Sequence, residues 1–356
     1  MAAVAVSRRI PVPVPARLRL AWARALAPEG FRTLAITAAV LLWAVVPSGA
    51  AVRLTGSGLG CPKWPHCEDT IVPASSHHAW IEFTNRVFSA GVILACVCAW
   101  LAARALPGRP AALRRPALAA AAATLGQIPL GAVTVAYDLH PLLVGAHFLL
   151  SIAALAAGVL LALRAHDAAR GIARGRDRRS GALAALVTLA LGTVIVTGAL
   201  VTASGPHSGD RGVIDRIWAL DEAAYVHVRA VIAFGAAVAL LSLWVWRSAA
   251  RGAAVDPLAR VVGLMAIPLV GVQVALGEIQ YRSGLPWGVI LAHVGVAGLL
   301  WAATLVVAWR LARPALAGAD QPRRSALDWQ GTHRSASGTA SSRRSGIGPP
   351  QSTQSP

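Results

Sequence analysis

Two histidines at matched positions carry the strongest chemical signal in this chain. Gln127 is followed twenty residues later by His147, and Gln273 is followed twenty residues later by His293. The surrounding text repeats: Gln127-Ile-Pro-Leu-Gly131 against Gln273-Val-Ala-Leu-Gly277, then Gly-Ala-His147 against Leu-Ala-His293. Both histidines fall in stretches apolar enough to cross a membrane. An ionisable side chain there is costly and by default marks a functional site. His227 and Asn85 stand in two further apolar stretches. Two facing imidazoles fill the two axial positions of a haem iron. A single buried histidine is more often a packing residue, but three in a repeated frame favour iron ligation. Zinc fits less well, because a structural zinc takes four N or S ligands and each half offers at most two.

Glu82 lies three residues before Asn85 and four before Arg86, so the three share one helix face. Aligning His227 with Asn85 places Ala224 opposite Glu82, so the carboxylate is unique to the first half. A Glu–Arg pair anchoring a helix end is the plain reading. The asymmetry favours chemistry. A half with two histidines and no carboxylate suits a permanent haem. A half with one histidine, an amide and a carboxylate suits a reaction chamber. Cys61 and Cys67 stand in Gly60-Cys61-Pro-Lys-Trp-Pro-His-Cys67. In an oxidising compartment they could form a disulfide, with Pro62 and Pro65 supplying the turn; the alternative is a redox-active thiol pair. Their spacing is not the Cys-x-x-Cys-His of haem attachment. Cys96 and Cys98 read as small buried hydrophobes.

The elements that must hold these residues follow from composition. The chain is 56% hydrophobic and 13% charged, with mean hydropathy +0.59; a soluble domain has nearer a quarter of its residues charged. Eight stretches have the roughly 20 apolar residues a bilayer requires: 33–53, 81–103, 117–137, 141–163, 182–203, 223–246, 259–280 and 287–312. The net charge of +18 comes almost wholly from arginine, and Lys63 is the single lysine. These charges alternate with apolar segments, which excludes a nucleic-acid-binding surface and matches basic cytoplasmic loops. The loops 104–115, 164–179 and 247–260 hold most of the excess, whereas 54–80 and 204–222 are balanced by acidic residues. Both termini are therefore read as cytoplasmic, in a multi-pass protein of the cell membrane in contact with its lipid.

The expected fold is all-α and integral to the membrane, with eight transmembrane helices in two four-helix bundles forming a parallel repeat. The expected organisation is a basic N-terminal segment (1–32), a first bundle (33–163), a cytoplasmic linker (164–181), a second bundle (182–312) and a disordered tail (313–356) rich in Ser, Gly, Arg and Pro. Residues 1–32 carry six arginines but no apolar core before a cleavage site, so no cleaved signal peptide is expected. Asn85, His147, His227 and His293 then lie at one level, roughly 6–10 Å below the outer surface. Two rivals remain: a transmembrane electron carrier, which needs haems at both faces, and a transporter, which needs broken helices at the midplane.

One long ordered text resembles a known family. Arg53-Leu-Thr-Gly-Ser-Gly-Leu-Gly-Cys61-Pro-Lys-Trp-Pro-His-Cys67, with Ile81-Glu82-Phe-Thr-Asn85-Arg86, resembles the haem A synthase signature. Thr202-Ala-Ser-Gly-Pro-His-Ser-Gly-Asp210, His227 and His293 resemble its second half. The resemblance covers roughly residues 33–312. It implies a resident haem b held by His227 and His293, and oxidation of the haem O methyl group to the formyl group of haem A. Two hydroxylations would give a geminal diol that loses water. It further implies Glu82 as the catalytic carboxylate, His147 as a ligand of the substrate haem, and Asn85 and Arg86 beside that substrate. Implied partners are haem O, an electron acceptor, haem O synthase and oxidase assembly factors. One position departs: the family commonly has Glu-x-x-His-Arg, and here the histidine is Asn85. Either His147 holds the substrate iron alone, or His77 or His78, read as lying in the loop before the span, reaches in.

Overall fold

In the computed structural model the described residues are 15–61, 63–67, 72–73, 76–108, 110–207, 209–210, 216–252 and 255–316. They form helices α1 (Ala16–Leu26), α2 (Pro28–Leu54), α3 (His77–Ala105), α4 (Ala111–Ala136), α5 (Pro141–Ala169), α6 (Arg178–Ser204), α7 (Leu220–Ala250), α8 (Pro257–Arg282) and α9 (Trp287–Ala312). The eight helices α2 to α9 are each long and apolar enough to cross a membrane, and the chain is a multi-pass membrane protein. Their outer faces carry exposed Leu189, Ile232 and Leu94, the residues a lipid solvent accepts. Among the described residues the only extended pairing is an isolated bridge between Arg174 and Ala315. The expected tail lies mostly outside the described residues, as does Pro62.

Most helices run past the apolar windows read from sequence. α4 begins at Ala111, so Arg114 and Arg115 are helical and not in a loop; α5 carries Arg164 and runs to Ala169. Of the expected 164–181 linker, only residues 170–177 lie between helices. The reason is physical: a hydropathy window sees the hydrocarbon-length part of a helix, while its ends continue through the headgroup layer, where arginine is welcome. Polar starts mark several helices. Pro28, Pro141 and Pro257 occupy first-turn positions that need no N–H donor. Asp177 caps α6 by accepting from the Arg179 N–H at 2.9 Å, and Asp256 caps α8 by accepting from Leu258 at 3.0 Å. The Ser180 side chain also holds the exposed Asp177 carboxyl below its usual range.

α2, α3, α4 and α5 pack each on the next and α5 returns to α2. Beyond them α6 packs on α7 and α9, and α8 packs on α9. α7 and α8 do not form such a packed pair among the described residues. The two groups meet where α2 and α5 touch α9 and α5 touches α6. Small residues make these contacts close: Ala35, Ala38, Ala99, Ala120, Ala154 and Ala165 are all buried. Two indoles cross the seam. Trp43 donates to the Gly295 carbonyl at 3.1 Å and Trp301 donates to the Ile152 carbonyl at 3.2 Å.

An ion-pair cluster ties the groups together at one end. Arg174 donates to Asp167 through Nε at 2.6 Å and Nη2 at 2.9 Å, and to Asp256 at 3.2 Å. Arg310, only 3% exposed, reaches Asp167 at 3.1 Å, and Trp309 donates to the same carboxylate at 3.4 Å. Asp167→Ala leaves both guanidiniums without their main partner, so a loss of about 3 kcal/mol is expected. The check is the thermal midpoint in detergent, which should fall further than in Asp256→Ala.

Candidate functional site

The site residues sit on α3, α5, α7 and α9, at the ends facing away from the ion-pair cluster. Asn85 lies eight residues into α3, His147 six into α5, His227 seven into α7 and His293 six into α9. At about 1.5 Å per residue these are depths of roughly 9–12 Å from the helix starts.

α4 and α5 are joined at His147. Gln127 Nε2 donates to the His147 carbonyl at 3.1 Å and to Ser151 Oγ at 2.7 Å. Gly131 of α4 faces the imidazole, with room for a Cβ only 3.5 Å from His147 Cε1. α8 and α9 repeat the contact, with Gly277 facing His293 Cε1 at 3.3 Å from the same ideal Cβ position. In each pair the same two atoms are buried with no hydrogen-bond partner among the described residues: Gln127 Oε1 and His147 Nδ1, then Gln273 Oε1 and His293 Nδ1. The buried Nδ1 edge of each ring faces the glycine of the neighbouring helix, so Nε2 is the nitrogen left to hold a metal-bound group.

Asn85 and His227 also share an arrangement. Ser48 of α2 donates to Asn85 Oδ1 at 2.7 Å, and Thr197 of α6 bonds His227 Nδ1 at 3.0 Å. Each hydroxyl immediately precedes a glycine, Gly49 or Gly198, and Gly198 packs its Cα against the His227 ring. With Nδ1 held by Thr197, His227 Nε2 is the nitrogen left for a metal. These hydroxyls were missed in the sequence reading. The signal was present, as Ser48-Gly49 and Thr197-Gly198 lie at equivalent places on the helices before Asn85 and His227.

These donors fit haem. A porphyrin supplies four equatorial nitrogens, so the protein need offer only one or two imidazoles. No group of three or more His, Cys, Asp or Glu side chains that could hold a bare metal ion occurs among the described residues.

Glu82 is 6% exposed and both its oxygens are engaged. Oε2 accepts from the Cys61 N–H at 2.8 Å, and Oε1 pairs with Arg86. Arg86 in turn donates to the Cys61 carbonyl at 2.9 Å. Cys61 and Cys67 are joined by a disulfide, and both are fully buried with Ala79. Gly60 must be glycine, since a Cβ there would lie 2.6 Å from the His78 backbone. Glu82 and Arg86 thus clasp the cystine loop onto α3. The connection between α6 and α7 joins it: Gly58 N–H donates to the Gly209 carbonyl at 2.8 Å, and Arg53 reaches the His207 carbonyl. His77 and His78 are not in a loop; they open α3, and His78 Nδ1 is bonded to Ser57 at 2.9 Å. Cys96 is buried and Cys98 half-buried, both as free thiols.

The comparisons agree with this architecture. A haem A synthase of Shewanella oneidensis is 26% identical over 303 residues, covering 72% of this chain and 89% of that protein. A haem A synthase of Bacillus licheniformis is 29% identical over 143 residues, 39% of this chain and 47% of that one. A protohaem IX farnesyltransferase of Thermus thermophilus is 45% identical over 78 residues, 20% of this chain and 13% of that one. The family model described as cytochrome oxidase assembly protein matches residues 32–305, which takes in the greater part of every apolar helix. The chain belongs to the cytochrome oxidase assembly protein family.

Proposed function

We propose that this chain is a haem A synthase, a membrane oxidoreductase that converts the methyl group of haem O to the formyl group of haem A. The observation that carries the reading is the repeated helix pair. α4–α5 and α8–α9 each present a half-buried imidazole whose Nδ1 edge packs against a glycine four residues after a glutamine, which leaves Nε2 for iron. Two such pairs support an arrangement of two four-helix bundles related by a parallel repeat, α2–α5 and α6–α9, with a haem in each.

The second bundle is the resident site. His227, its tautomer set by Thr197, and His293 would hold haem b between α7 and α9. A haem with both axial positions filled supplies one-electron transfer and not oxygen chemistry. The first bundle is the reaction chamber. His147 would ligate the substrate iron. Asn85 stands where His227 stands in the second half and is held there by Ser48, and an amide is a poor iron ligand. The substrate iron then keeps one position open. Glu82, three residues from Asn85 on the same helix face, is the group available to accept a proton at the reacting carbon or water. Arg86 steadies that carboxylate and fixes the cystine loop as a cover that excludes bulk water.

Orientation by the positive-inside rule puts both termini in the cytoplasm and the haem sites near the outer face of the cell membrane. The farnesylated substrate haem would be supplied by a haem O synthase. Oxidase assembly factors and an electron acceptor complete the partners. The carrier reading loses ground because His147, His227 and His293 all stand at one end of their helices, where a transmembrane carrier would need haem ligands at both ends. The test is pigment extraction from cells supplied with haem O and making this chain. Haem A should accumulate, and its absence beside a normal b-type spectrum would sink the enzymatic reading.

A further inference from the structure

We propose that an arginine-lined cavity at the helix ends remote from Glu82 and the histidines binds a phosphate-bearing anion, supplied by an anionic phospholipid headgroup. The cavity holds about 650 Å³ and opens between the start of α4, the last turns of α5 and the end of α9. Arg115, Arg164, Arg174 and Arg313 line it, together with Asp167 and Trp309. Asp167 does not make it acidic, because Arg174 and Arg310 already hold its carboxylate.

Three independent features ask for an anion. The Arg164 and Arg313 guanidiniums both lie over the Trp309 ring, each 4.9 Å from its centroid. Two cations gathered on one indole repel each other, and a negative group between them relieves that repulsion. Arg164 Nη1 donates to the Ala112 carbonyl at 2.8 Å, while its Nε is buried with no hydrogen-bond partner among the described residues. That is a donor in want of an acceptor. α4 begins at the same cavity with Pro110 as its N-cap and no side-chain cap bond. Ala111 and Ala112, whose N–H groups are the free ones of its first turn, line the cavity at the positive end of the helix dipole.

A phosphate diester has the several oxygens that spread donors of this kind require, and guanidinium forks suit it. The cavity lies where apolar helices end, at the boundary of membrane and water. Phospholipid headgroups are the phosphates most concentrated there, and basic pockets between membrane helices attract the anionic ones.

Native mass spectrometry of the purified full chain tests this with phosphatidylglycerol, phosphatidylcholine and inorganic phosphate added separately. One phosphatidylglycerol should be retained per chain. Its affinity should fall at least about tenfold in Arg115→Gln/Arg313→Gln, whose two side chains are exposed and outside the Asp167 cluster. Circular dichroism and elution volume should be unchanged. If the double variant aggregates, Arg115→Gln alone provides the comparison, with a smaller loss in the same direction. Undiminished affinity in a folded variant overturns the site. Equal retention of phosphatidylcholine overturns recognition of net charge. Displacement of the lipid by inorganic phosphate at matched concentration assigns the pocket to a soluble phosphate and overturns the lipid source.

Discussion

His227→Ala and His293→Ala should each abolish the low-spin b-type absorption of the purified protein. Each would remove one of the two axial ligands proposed for the resident haem, and the remaining imidazole cannot give a six-coordinate bis-histidine spectrum. Thr197→Val separates ligation from its support. It leaves both imidazoles but frees His227 Nδ1 from the hydroxyl that bonds it at 3.0 Å. Haem should be retained with affinity lower by about tenfold, the lower end of what losing a ligand's hydrogen-bond partner costs. Absorption spectra and haem-to-protein ratios read both effects. A normal low-spin spectrum in either alanine variant would disprove the ligand pair.

The sequence exposed what is periodic and left hidden what is tertiary. The eight apolar helices were legible because a bilayer demands a length and a composition that few soluble segments meet. The Gln–His repeat was legible because the same contact is built twice from text twenty residues long. The ends of helices were not, because Arg114 and Arg164 look like loop residues until snorkelling is allowed for. Nor was the clasp on the cystine loop. Glu82 and Arg86 read as a helix pair, and nothing in their spacing reveals that Cys61 supplies an N–H to one and a carbonyl to the other. The cluster of Asp167, Arg174, Asp256 and Arg310 joins residues as far as 143 positions apart. A scan for local pairs has no access to it.

This clasp sharpens the question of what Glu82 does. An anchor and a proton acceptor can be the same carboxylate, but they fail differently. Glutamine at this position keeps the size but has one acceptor oxygen. It can serve the Cys61 N–H or Arg86, and not both. Glu82→Gln should therefore loosen the loop modestly and remove proton acceptance altogether. Conversion of haem O to haem A is expected to fall at least about a hundredfold, the usual cost of losing a general base. The b-type spectrum should be unchanged, since His227 and His293 lie on other helices. Arg86→Gln provides the contrast. It breaks the clasp while leaving the carboxylate, so an anchor role predicts equal damage from both variants and an acid–base role predicts that Glu82→Gln is much the worse. Asn85→His adds a second imidazole opposite His147 and should shift a bound substrate haem towards a low-spin, six-coordinate spectrum. If Glu82→Gln turned over at the wild-type rate, the carboxylate would be a loop anchor alone. The oxidation proposed for the first bundle would then need another proton acceptor.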